Sequence, residues 1–142
     1  MPILVEREPA SEDAAALSQG IIAFNKERVP DLEEVEDEVK FFVLSKDGQG
    51  RLQGGIRAAC YWNTLHIELL WLDEAARGSG TGAELVNRAE EFARAHTCKK
   101  ALVETTSWQA KPFYEKLGYT LIATLPDRPK GHASHYLTKS LV

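Results

Sequence analysis

The chain has 142 residues, of which 44% are hydrophobic and 27% charged, an ordinary composition that argues against global disorder. Its formal net charge of -4 and pI near 5.6 disfavour nucleic acid as the main partner, because duplex binding usually needs a basic face. The length suits a single domain over residues 1–142, and no run reaches the roughly 18 apolar residues of a membrane span. The apolar run near the start covers only Ile3 to Val5, too short for a signal peptide, so a cytoplasmic protein is expected. Cys60 and Cys98 form neither a CxxC pair nor a cluster at zinc spacing. They read as small buried hydrophobes, and no metal site is expected.

Taken in order, Ile3 to Glu6 reads as a short strand, ended by Pro9. Ser11 can cap a helix with Glu12 and Asp13 in its first turn and Leu17, Ile21 and Phe24 at helical spacing. Leu32, Val35 and Val39 allow a second short helix over Asp31 to Val39. Lys40 to Ser45 and Leu52 to Trp62 read as strands around the turn Lys46–Gly50, with a bulge suggested by Gly54-Gly55. After Asn63-Thr64, LHIELLWL (Leu65 to Leu72) is the strongest strand pattern in the chain. A helix from about Gly82 to His96 follows, with Thr81 and Glu84 fitting a capping box and Leu85, Ala89, Phe92 and Ala93 on one face. Lys100 to Thr105 is a further strand. Ser107 to Leu117 is a short helix closed by Gly118, with Pro112 in its first turn. Strands near Thr120 to Leu125 and His135 to Ser140 end the pattern. The sum is an α/β (α+β) fold: a mixed, mostly antiparallel sheet of about six to seven strands with about three to four helices on its faces.

Between the strongest strand and the helix lies RGSGTG, Arg77 to Gly82. A strand, a glycine-rich loop and a helix N-terminus make an anion site, because backbone N–H groups converge there and the helix dipole adds partial positive charge. Arg77 adds a charged donor suited to phosphate. No lysine follows the glycines, so a P-loop is excluded. Gly78, Gly80 and Ala83 match a dinucleotide fingerprint formally, with Glu104 as a ribose acid. The chain has too few strand–helix units for that fold, however.

R-x-x-G-x-G, met by Arg77, Gly80 and Gly82, together with AKPFYEKLGY, Ala110 to Tyr119, resembles the GCN5-related N-acetyltransferase (GNAT) superfamily. The resemblance covers essentially the whole chain and implies an acyl-CoA N-acyltransferase fold. It implies an enzyme that transfers the acetyl group of acetyl-CoA to a primary amine of a small molecule or peptide by direct attack. The alternative is a non-catalytic acyl-CoA-binding or interaction domain of the same fold. By resemblance, Arg77, Gly78, Ser79, Gly80, Thr81 and Gly82 hold the pyrophosphate, and Leu70 and Leu72 pair with the pantetheine arm. Ser107 stands where the family often has asparagine, and Tyr114 where the family has its general-acid tyrosine. Glu74, Ala76 and Thr81 also depart from the family pattern.

Glu68 is the candidate base, acting through a water, in phase with Leu70 and Leu72 on a period-two strand. A carboxylate amid LHIELLWL needs a reason, since a buried charge is costly without a partner. His66 is the runner-up. The acids of the Asp31 to Glu38 run are candidates to attract a cationic acceptor, and His132 and His135 are candidates to line its pocket. The expected partners are thus acetyl-CoA and an amine, with no nucleic acid or membrane. The resemblance also admits a homodimer.

Overall fold

Six strands make one mixed sheet in which the first four lie side by side in chain order, the sixth lies beside the fourth and the fifth is at the edge, and the connections between them explain that order. The computed structural model describes residues 1–142, which fall into two compact units, Met1–Glu34 and Val35–Val142. The first unit is built on helix α1, Ser11–Arg28. Ser11 is its first residue rather than its cap, and Ala10 precedes it with no side-chain cap bond. Glu12 and Asp13 occupy the first turn as expected, none of the helix residues is buried, and Lys26 pairs with Glu34. Ile3 to Glu6 forms no strand: no other strand pairs with it, and an extended segment is held only by a neighbour's backbone.

In the second unit, the expected helix over Asp31 to Val39 shrinks to a single 3₁₀ turn, Val35–Asp37. Acids at i,i+3 and i,i+4 spacing (Glu33 with Glu36 and Asp37, Glu34 with Asp37 and Glu38) repel one another on a helix. Strand β1, Val39–Lys46, turns back through Asp47, whose carboxylate accepts the N–H groups of Gln49 and Arg51, into β2, Leu52–Tyr61. The register slips at Ser45/Lys46, opposite Gly54, where the glycine pair suggested a bulge. A Cβ on Gly54 would lie 2.7 Å from the Trp71 carbonyl, so no larger residue fits. Trp62 and Asn63, with φ of 50° and 49°, form the two-residue turn into β3, Thr64–Leu72.

From β3 the chain crosses through helix α2, Thr81–Ala95, to β4, Lys100–Thr106, which lies parallel to β3. A parallel pair requires such a crossover. α2 buries Leu85, Val86, Ala89 and Ala93 against Ile56, Leu65 and Val103 of the sheet, and Phe92 stacks on Phe41 at 4.0 Å. Helix α3 spans only Lys111–Lys116. Pro112 sits in its first turn, and its ring would clash with a helical carbonyl four residues earlier, so Ser107 to Ala110 form a turn instead. Gly118, with φ 95°, ends it. The hairpin β5, Thr120–Pro126, and β6, Ala133–Ser140, completes the sheet, with β6 against β4. No disulfide joins Cys60 and Cys98, and both are buried. No helix is long and apolar enough to cross a membrane.

One buried polar group stands out in this core. Glu90 of α2 is 2% exposed, accepts a hydrogen bond from the Tyr119 hydroxyl at 2.8 Å and pairs with Lys139 at 2.9 Å. Burial, followed by the Glu90 charge, raises the Tyr119 pKa well above the usual phenol range.

Candidate active site

The strands β3 and β4 pair only from Thr64 to Ile67 and from Lys100 to Val103. Beyond that, β3 continues to Leu72 paired with β2 alone, and β4 continues to Thr106 paired with β6. Two facing edges with backbone donors and acceptors are left apart, and a cavity of about 550 Å³ occupies the opening. Glu68, Leu70, Arg77, Glu104, Trp108 and Tyr114 are among its walls.

A bulge at Glu68 sets up this geometry. Arg57 of β2 faces Leu69 and Ala58 faces Ile67, which leaves Glu68 as the extra residue. One added residue reverses the inward–outward alternation. Leu65 and Ile67 point into the core before it, whereas Leu70 and Leu72 pack against the core after it. The simple period-two phase of Glu68 with Leu70 and Leu72 is therefore broken. Glu68 lies on the opposite face, where Arg57 Nε donates to its Oε1 at 2.9 Å.

At the end of β3 the glycine loop turns into α2. Gly78 and Gly80 have φ of 76° and 84°, which glycine adopts without strain, and no atom lies within 4 Å of a Cβ built on either. Arg77 Nε donates to the Leu72 carbonyl at 3.1 Å, folding the loop back over the strand end. The capping box is absent. Gly80 is the cap residue, the Thr81 hydroxyl lies 2.9 Å from Ser79 Oγ, and Glu84 pairs with Arg88. With no side chain bonded over it, the first turn of α2 keeps its N–H groups for an external acceptor. Gly82 serves packing: a Cβ there would sit 3.1 Å from the Phe113 ring. An open loop at a helix N-terminus is a place where an anion can meet backbone N–H groups.

Tyr114 of α3 is 3% exposed and reaches the cavity from the α2 side of the sheet. It packs edge-on against Phe113 and Tyr119, and burial pushes its pKa up to about 12. Its phenol is thus held protonated at neutral pH.

The other sequence candidates lie elsewhere. His66 stacks on Tyr61 at 4.1 Å, its Nε2 is buried without a partner, and it does not line the cavity. Burial lowers its pKa, opposed by the charges of Glu38 and Glu68. Ser107 is not a wall residue either: its hydroxyl contacts His132 Nδ1 at 3.2 Å and accepts the Ala133 N–H at 3.2 Å. His135 sits on β6 and contacts Thr124 across the hairpin at 3.0 Å. Neither histidine lines the cavity, nor do Glu36, Asp37 and Glu38.

The family model described as Acetyltransferase (GNAT) family matches residues 9–119. The chain belongs to the GNAT acetyltransferase family. A blasticidin-S acetyltransferase from Streptomyces morookaense is 46% identical over 94 residues, 66% of this chain and 69% of that protein. The crystal structure of an acetyltransferase from Bacillus cereus ATCC 14579 matches with a TM-score of 0.82 and 27% identity, over 96% of this chain and 97% of that one. An aminoglycoside 6'-N-acetyltransferase complexed with coenzyme A shares the fold, with a TM-score of 0.64 and 16% identity over 95% and 96% of the two chains.

As a GNAT enzyme the chain is an acetyl-CoA-dependent N-acetyltransferase, and the six-stranded sheet with three helices is the fold of that family. The fold is one that holds CoA. Glu104, Trp108 and Gln109 also wall the cavity, and none of them is among the residues that the sequence patterns assign to acetyl-CoA or the amine. In the sequence Glu104 fits only the formal dinucleotide pattern, as a ribose acid. Its signal lay in the β3–β4 register, which puts it one step past Val103 as Glu68 is one step past Ile67.

Proposed function

We propose that this acetyltransferase acts on a small cationic molecule bearing a primary amine, with Glu68 as the base and Tyr114 as the general acid. The observation that carries this reading is that the two residues line one cavity from opposite faces of the sheet, where β3 and β4 part. Acetyl-CoA lies with its pyrophosphate on the N–H groups from Gly78 to Gly82 and on Arg77. Its pantetheine arm runs along the free edge of β3 at Leu70 and Leu72.

The amine arrives largely as ammonium, since free alkyl amines have a pKa near 10. A water held by Glu68 takes its proton. The nitrogen lone pair attacks the thioester carbon, and the oxyanion is met by backbone N–H of β3 near Leu70 to Leu72. The C–S bond then breaks, and the leaving thiolate takes the Tyr114 proton. A phenol held protonated by burial suits that step. The second proton of the attacking nitrogen, acidic once the N–C bond has formed, passes through water to restore the Tyr114 phenol, leaving a neutral amide and free CoA thiol.

The acidic walls Glu68 and Glu104 and the indole of Trp108 favour a cation over a neutral amine. The related blasticidin-S acetyltransferase makes blasticidin S the first acceptor to try. We take residues 1–142 as one acetyltransferase domain working in the cytoplasm. The test is CoA-thiol release over a panel containing blasticidin S, aminoglycosides, polyamines and basic peptides. Turnover of a small cationic amine, with the acetyl group on its primary amine by mass spectrometry, is expected. Turnover of peptides alone would overturn the small-molecule reading.

A further inference from the structure

Glu68 and Glu104 are register neighbours at the fork. Pairing ends at Ile67 and Val103, whose side chains are buried in the core, and each carboxylate is the next residue on its strand. Both therefore leave the sheet on the face opposite α2. They are similarly exposed, at 41% and 42% of the side chain. Each carboxylate gives one oxygen to the protein. Glu68 Oε1 accepts from Arg57 Nε, while Glu104 Oε1 accepts from Arg128 Nη1 and from the Tyr136 hydroxyl at 3.0 Å. No protein hydrogen bond goes to the Oε2 of either residue.

Glu104 also borders two cavities. It lines the opening between the strands and an adjoining cavity of about 420 Å³ walled by Thr106, Arg128, Pro129 and Ser134. Within that second wall, Thr106 Oγ1 is buried and has no hydrogen-bond partner. Buried hydroxyls are normally satisfied, so this one marks a place for a ligand's polar group.

We infer that Glu104 is a specificity-determining residue for the acceptor: it holds a second cationic group while the reacting amine sits at Glu68. The acceptor class is then a diamine or a guanidino-amine, with the polar remainder of the molecule reaching toward Thr106. Arg128 tunes this choice, because its guanidinium already neutralises part of the Glu104 charge. This role rests on the acetyltransferase site proposed above and adds the acceptor's second charge to it.

The test compares straight-chain α,ω-diaminoalkanes with monoaminoalkanes of the same length, by thiol release. The quantity read is the ratio of the two kcat/KM values, which partial unfolding does not change because it lowers both together. In the unaltered protein the ratio is expected at roughly tenfold or more in favour of the diamine. Glu104→Gln brings it toward one. Arg128→Gln moves it the other way, since it leaves the Glu104 carboxylate less neutralised. Opposite movement by the two halves of one ion pair is not what a structural contact gives. A ratio near one in the unaltered protein, an unmoved ratio in Glu104→Gln, or both variants shifting it in the same direction would each overturn the assignment. Calorimetry with acetyl-CoA is run alongside. A protein that fails to bind acetyl-CoA, or that releases no thiol with any amine, loses the acetyltransferase site itself and Glu104's role with it; normal turnover with no diamine preference loses only the latter.

Discussion

The two sides of the opening between β3 and β4 are made of different materials. On the α2 side stand backbone N–H groups of an uncapped helix turn and a buried, neutral phenol at Tyr114. On the other side stand half-exposed charges, Glu68 with Arg57 and Glu104 with Arg128. The first side is buried at Tyr114, and on the function proposed above it holds acetyl-CoA. The second is built from exposed side chains, and on the function proposed above it is the side that meets the acceptor. An exposed ion pair contributes only about 0–1 kcal/mol to folding. Substitutions there should be felt in turnover, and substitutions behind the sheet in folding as well.

Breaking the α2 side at its base should have the largest effect. Glu90→Ala removes the acceptor for Tyr119 and strands Lys139, and should cost about 3 kcal/mol in urea unfolding. A loss below about 1 kcal/mol would mean the network contributes little. Tyr114→Phe keeps the packing and removes the proton. We expect kcat to fall about 100-fold with acetyl-CoA affinity nearly retained. Because burial holds the Tyr114 pKa at about 12, the phenol stays protonated through pH 10, and the deficit should be constant between about pH 7 and pH 10. An unchanged kcat removes the acid role.

On the charged side, Glu68→Gln should lower kcat about tenfold and leave stability within about 1 kcal/mol. Its rate should recover as pH rises toward the amine pKa near 10, where free amine needs no base. A pH–rate profile parallel to that of the unaltered enzyme contradicts the base assignment. The smallest effect is at His66. Its folded pKa is lowered by burial, so the unfolded chain takes up the proton more readily once pH falls through about 6.5. Stability should decline as pH drops through that value, and a His66→Leu protein should show a flatter decline in denaturant midpoint.

The same contrast explains what could be read from the amino-acid order. The loop Arg77 to Gly82, the helix behind it and the FY pair at Phe113 and Tyr114 are local patterns, and each landed on the α2 side as expected. The acceptor side is assembled over long range. Arg57 meets Glu68 only through the β2–β3 register, and Arg128 meets Glu104 only through the β5–β6 hairpin. The bulge at Glu68 has no glycine to announce it, so strict alternation put that side chain on the wrong face. The capping box failed because Thr81 turned its hydroxyl to Ser79, leaving to Gly80 the position before the helix. At the chain start, the stretch Ile3 to Val5 had strand-like residues but no neighbour to pair with, which no local pattern reveals.

The most direct test of the central claim is calorimetric titration with acetyl-CoA of the unaltered protein and of the Arg77→Ala, Gly80→Val double variant. Valine at a φ of 84° is strained, and its side chain would enter the space above the loop. The account predicts micromolar binding in the first and a loss of at least about 100-fold in the second, with both proteins folded by circular dichroism. Equal affinities in the two, or no binding in either, would contradict it.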